Sequence, residues 1–161
     1  MNFSILGTGM FVPERIVTND DLATIVETDD EWIRQRVGIA RRHVCTTETT
    51  TDLAYGAAAA ALENAGVRAE ELDLILSATV SGDNVSPSLA CMIQSRLGAS
   101  CPAYEINAAC AAFIFLLETA AGYFARRALS QSEAITLKTL RVSKGPQPFG
   151  RPLLTFRRCG K

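Results

Sequence analysis

Residues 72–80 form a nearly continuous apolar run around Asp73. A run of that length without polar alternation suits a strand buried on both faces, the situation of a parallel sheet covered by helices on each side. The rest of the chain supplies such helices. Thr46 to Thr51 make a polar loop that caps an Ala-rich helix over roughly residues 52–65, closed by Gly66. Ser86-Pro87 reads as the cap and first position of a second helix that ends before Gly98. Pro102 to Ile106 alternates as a short strand, and Phe113, Ile114, Leu116, Leu117, Ala120, Ala121 and Phe124 recur with helical spacing after it. Upstream, residues 3–7 open as a strand that Gly7-Thr8-Gly9 breaks. Thr18 or Asn19 caps a short helix with Leu22, Ile25 and Val26. Thr28-Asp29-Asp30-Glu31 fits a capping box, with Thr28 as N-cap and Glu31 reaching back, for a helix carrying Trp32, Ile33 and Arg36. Residues 39–44 form a strand or extended arm. Strands alternating with helices predict an α/β fold with a mostly parallel, helix-covered sheet.

This regularity stops near residue 126. Residues 1–125 carry 16 acids and seven arginines, a net charge of −9. Residues 126–161 hold nine basic residues, every lysine of the chain, and the single acid Glu133, a net +8. The chain therefore divides into an ordered part over residues 1–126 and a basic tail over 127–161. The tail is expected to be disordered or the product of a shifted reading frame. Its only interleaved aromatics are Phe149 and Phe156, so nucleic-acid binding has composition alone behind it and is not expected. No apolar run approaches membrane-spanning length. Five cysteines, odd in number and without a Cys-x-x-Cys pair, read as reduced thiols of a cytoplasmic protein with no metal site and no disulfide framework. Gly7-Thr8-Gly9 lacks the third glycine of a dinucleotide fingerprint.

Cys110 is the candidate nucleophile. It falls where the strand ending near Ile106 gives way to the helix that begins near Phe113. Unpaired N–H groups and the positive end of a helix favour a thiolate there. Ala108, Ala109, Ala111 and Ala112 leave room for a substrate to reach the sulfur, as covalent acyl transfer requires. Position alone supports a buried structural cysteine equally well. Trp32 and Arg36 stand four residues apart, on one helix face. They read either as a core aromatic and a solvated charge or as a ligand-binding pair.

Several segments in order resemble the type III β-ketoacyl-[acyl-carrier-protein] synthases of the thiolase superfamily. They are Ile5-Leu6-Gly7-Thr8-Gly9, Thr18-Asn19-x-Asp21-Leu22, Thr28-Asp29-Asp30-Glu31-Trp32-Ile33, Arg36-x-Gly38-Ile39-x-x-Arg42-His43, Pro87-Ser88-x-Ala90-Cys91-x-Ile93-Gln94 and Ala108-Ala109-Cys110-Ala111-x-Phe113. The resemblance covers residues 5–125. It implies the first half of a thiolase-like layered fold and an acyltransferase that initiates fatty acid biosynthesis. On the resemblance, Cys110 takes an acyl group from acyl-CoA, and malonyl-acyl carrier protein then attacks the acyl-enzyme and decarboxylates. Trp32 stacks on the CoA adenine, Arg36 meets a CoA phosphate, and Thr28 is a further CoA-side residue. Acyl-CoA is a substrate and no cofactor is permanently bound. The family associates as a homodimer through the strand before the nucleophile.

Three departures accompany the resemblance. Ala112 stands where the family has Gly. Ser86 stands where many members have a bulky apolar residue that shapes the acyl pocket. The family's decarboxylation uses a His and an Asn from a second half, whereas this chain has one histidine, His43, in a motif that is not the catalytic one. Inactivity of the chain alone in condensation is therefore expected. The competing expectations are a non-catalytic fragment that at most binds CoA or a partner, and a sister synthase of the hydroxymethylglutaryl-CoA or polyketide type.

Overall fold

The structure is a computed structural model that describes residues 3–126, 133–138 and 153–158. Its centre is β4 (Leu74–Ala78), all five residues of which are buried. Leu74, Leu76 and Ala78 pack on one face against Ala112, Leu116, Ala120 and Phe124 of α5 (Ala112–Arg126). Ile75 packs on the other face with α3 (Thr50–Ala65) and α4 (Leu89–Leu97), through Ala54, Ala58, Ala61, Leu62, Ala90 and Ile93. The apolar run is thus a strand buried on both sides, as its lack of alternation requires. Each fully buried Leu or Ile there contributes about 1.5–3 kcal/mol.

β4 pairs in parallel with β5 (Ala103–Glu105) on one side and with β6 (Glu133–Lys138) on the other. β7 (Leu153–Arg158) runs antiparallel between β6 and β1 (Phe3–Gly9), so the sheet order is β1-β7-β6-β4-β5. Four of its strands point the same way and β7 points back. A hairpin-like pair of β2 (Ile16–Thr18) and β3 (Arg41–His43) stands apart from this sheet. It flanks two short helices, α1 (Asn19–Ala23) and α2 (Asp30–Val37).

Four expectations need correcting. Gly7-Thr8-Gly9 does not break the first strand, which runs through both glycines with one register shift between Ile5 and Gly7. The glycines instead admit α3: a Cβ on Gly7 would sit 2.6 Å from the Ala65 nitrogen, and one on Gly9 would strike the Ala57 carbonyl. Thr28 is not the cap of α2; Asp29 is, its carboxylate accepting from the Trp32 N–H at 2.7 Å. α4 is capped by Ser88, not Ser86, because the Glu105 carboxylate accepts the Leu89 N–H at 3.2 Å and fixes the start of the helix there. Regular structure does not end at residue 126, since 133–138 and 153–158 extend the sheet. In the first of these segments Ile135 and Leu137 alternate with Thr136 and Lys138, a two-residue period too short to stand out from the basic tail. The expectation of disorder or a shifted frame for the remaining tail residues falls outside the described residues.

Candidate active site

After β5 the Ile106 N–H donates to the Ser77 carbonyl at 2.8 Å, and the chain then leaves the sheet. Ala109–Ala111 form one 3-10 turn, closed by Ala111 N–H donating to the Ala108 carbonyl at 3.0 Å, and α5 follows at Ala112. Ala109 has φ 44°, the left-handed region that side chains with a Cβ avoid. An L-residue there costs about 1–2 kcal/mol, and such strain persists only where the surroundings enforce it. The enforcing elements are visible on both sides. Glu105 ties the end of β5 to Leu89 and to the Ser77 hydroxyl, while Ala112, the first residue of α5, is buried in the cluster that packs on β4. Ala112 has ordinary helical angles, φ −54° and ψ −32°, so an alanine is accommodated where the resembling family has glycine.

Cys110 rides on this turn and is exposed. The other described cysteines differ. Cys101 is buried, and burial pushes its thiol pKa up. Cys91 is half-buried, with its sulfur 3.3 Å from the Ser88 hydroxyl and 3.5 Å from the Ala103 carbonyl. Cys45 is half-buried. The even balance between structural and reactive readings of Cys110 therefore resolves against a buried structural thiol.

The second set of predicted residues gathers at the start of α2. Glu27, Thr28, Asp29 and Trp32 line an open cleft of about 250 Å³. Trp32 is 55% exposed and so is not a core aromatic. The Arg36 guanidinium carbon lies 5.7 Å from the centroid of its ring, close enough for a cation–π contact. The Thr28 hydroxyl is buried without a hydrogen-bond partner among the described residues. Thr28, Trp32 and Arg36 are thus brought together. Cys110 lies on a different element and does not line this cleft.

A polar cluster behind α2 was not read from the sequence. Arg42 of β3 is 4% exposed and Asn19 of α1 is 1% exposed. The Arg42 guanidinium donates to the Thr18 carbonyl at 3.0 Å and to the Asn19 side-chain oxygen at 2.5 Å. The Asn19 amide donates to the Asp30 carboxylate at 2.7 Å and to the Ile39 carbonyl at 2.8 Å. Asp30 also accepts from Arg34 at 2.6 Å, and these bonds, led by that from Asn19, hold its carboxyl below the usual range. His43 is half-buried with its Nδ1 2.6 Å from the Pro13 carbonyl, a structural placement as expected.

No family model matches the sequence. Over 118 residues the chain is 54% identical to the β-ketoacyl-[acyl-carrier-protein] synthase III of Xylella fastidiosa, covering 72% of this chain and 36% of that protein. Over 136 residues it is 45% identical to the synthase III of Vesicomyosocius okutanii, covering 84% of this chain and 43% of the relative. The crystal structure of 3-oxoacyl-[acyl-carrier-protein] synthase III from Aquifex aeolicus matches with a TM-score of 0.92 at 33% identity, over 99% of this chain and 55% of the other. The fold is thiolase-like. The chain spans roughly two fifths of the length of these curated relatives and about half of the solved one. β4 and α5 pack against each other, and Cys110 lies on the 3-10 turn that precedes α5. Among the described residues no helix is long and apolar enough to cross a membrane, and no cluster of His, Cys, Asp or Glu has metal-binding spacing.

Proposed function

We propose that this chain carries the acyl-accepting part of a type III β-ketoacyl-[acyl-carrier-protein] synthase, the condensing enzyme that starts fatty acid biosynthesis. The observation that carries the reading is Cys110, an exposed thiol on a strained turn at the head of α5. Its Sγ attacks the thioester carbonyl of an acyl-CoA. A new carbon–sulfur bond forms to Cys110, the bond to the CoA sulfur breaks, and the CoA thiol leaves with the proton. The adenine of the CoA lies on the exposed face of Trp32, and a phosphate meets Arg36. Glu27 and Asp29 also line the cleft, and their negative charge disfavours a phosphate beside them. Thr28 lines the same cleft and is the further residue on the CoA side.

The second half-reaction is attack on the acyl-enzyme by malonyl-acyl carrier protein with loss of carbon dioxide. It needs donors for the developing enolate, worth roughly 2.7–4 kcal/mol each in comparable oxyanion sites. The single histidine, His43, is engaged with Pro13. Condensation by this chain alone is therefore not expected. The reading includes a cytoplasmic homodimer joined at β5, the outermost strand of the sheet on the Cys110 side. A single-turnover experiment tests the acylation. Mixing the chain with acetyl-CoA should release close to one equivalent of CoA, and Cys110→Ala should release none. Equal release from the variant would sink the proposal.

A further inference from the structure

α2 carries the proposed nucleotide-binding pair, yet it is poorly anchored by apolar packing. Ile33 is its single buried residue. One hydrophobic contact resists lifting of the helix but does little to fix its rotation or tilt. The polar cluster supplies what is missing. The two hydrogens of the Asn19 amide reach Asp30, at the first turn of α2, and Ile39, just past its Gly38 C-cap. One side chain therefore grips the helix near both ends. Arg42, buried in the neighbouring strand, holds the Asn19 oxygen and so dictates which way that amide faces. Its second contact, to the Thr18 carbonyl, anchors the guanidinium to the chain just before α1. Buried groups of this kind are costly unless every bond is made, so the arrangement is all-or-none rather than graded.

We propose that Asn19 and Arg42 are positioning residues that clamp α2 at both ends and keep Trp32 and Arg36 in register as one receptor for the nucleotide end of a CoA thioester. The inference rests on the acyl-CoA reading above. Neither residue touches the ligand. Lysine cannot replace Arg42, because it lacks the planar fork that bridges two acceptors.

Trp32 is the only tryptophan, so its fluorescence reports on this helix directly. Two measurements on the full chain test the proposal: titration with CoA followed by Trp32 fluorescence, and acrylamide quenching of Trp32 without ligand. Asn19→Ala and Arg42→Lys should weaken CoA binding by roughly tenfold or more and alter the quenching constant. Far-UV circular dichroism in urea should still show one cooperative transition in both. Arg34→Ala, which removes an exposed partner of the same Asp30, should bind like wild type. Asp30→Ala removes the grip of Asn19 on the first turn of α2 while leaving its bonds to Ile39 and Arg42 in place, and it decides the matter if the buried variants do not fold. Wild-type affinity and quenching in the folded variants would overturn the clamp. Absence of any CoA response in the wild-type chain would instead refute the acyl-CoA reading, and the acrylamide comparison would still decide the clamp.

Discussion

Replacing Ala109 with glycine should stabilise this protein, although glycine substitutions in regular structure ordinarily destabilise. Ala109 has φ 44°. Its Cβ there costs about 1–2 kcal/mol in the folded state. Glycine removes that cost but gains freedom in the unfolded chain, a loss of about 0.5–1 kcal/mol. The difference is a net gain of about 0.5–1 kcal/mol. With a urea m-value of about 2 kcal/mol/M, the midpoint should rise by roughly 0.3–0.5 M at constant m. Ala111→Gly is the control. It lies two residues on in the same 3-10 turn, without positive φ, and should lose about 0.5–1 kcal/mol. Opposite signs at two alanines in one turn would isolate the backbone strain. A midpoint that falls in Ala109→Gly, or moves equally in both variants, would refute the argument. Relaxing the turn should also slow acyl transfer to Cys110 while leaving CoA affinity unchanged, since the strain fixes where the sulfur sits.

Three further outcomes follow from the same geometry. Gly9→Ala should cost about 3 kcal/mol, the top of the range for overpacking, because the new methyl meets the backbone of α3 and no side chain can yield; a chemical melt measures it. Asp52 accepts from the Thr49 N–H and hydroxyl and from Arg96, which lowers its pKa from 3.8 to about 2. Its contribution is complete above about pH 4 and is lost as pH falls through about 2. Because the group is more than a third exposed, solvent screening limits this to about 1 kcal/mol, and the loss should be absent from the stability–pH curve of Asp52→Asn. Under the proposed dimer joined at β5, Ala103→Pro should leave a monomer in sedimentation where the wild-type chain runs as a dimer. Pro102 O and Ile106 N–H face β4, so the Ala103 N–H points to the outer edge, and its removal spares the β4 pairing.

The parts of this fold governed by local pattern were legible in the sequence. β4 was evident because a five-residue strand buried on both faces leaves no polar alternation. The glycines expected to end α2, α3 and α4 do so with φ of 69°, 66° and 72°. Choices among equivalent neighbours were not legible. Thr28, Asp29 and Asp30 can each cap a helix, and the outcome turns on Asp30 being engaged by Asn19, a contact across 11 residues. Ser86 and Ser88 compete in the same way, and Glu105 decides for Ser88. Gly7 and Gly9 looked like breakers because the helix lying across them is some fifty residues away in sequence. At the candidate site, Thr28, Trp32 and Arg36 were singled out through resemblance and spacing, and the structure places them close together. The left-handed turn at Ala109 had no sequence signal, since alanine is the wrong residue for it. The Asn19–Arg42 clamp joins positions 23 apart whose side chains read as surface polar groups until they are seen buried.

The central claim is that Cys110 accepts an acyl group from CoA bound at Trp32. Peptide-level mass spectrometry after brief exposure to acetyl-CoA tests it most directly. The account predicts acetylation on the Cys110 peptide alone, sharply reduced in Trp32→Ala, with Cys45, Cys91 and Cys101 unmodified. Acetyl groups spread over several cysteines, or a Cys110 yield indifferent to the loss of Trp32, would contradict it.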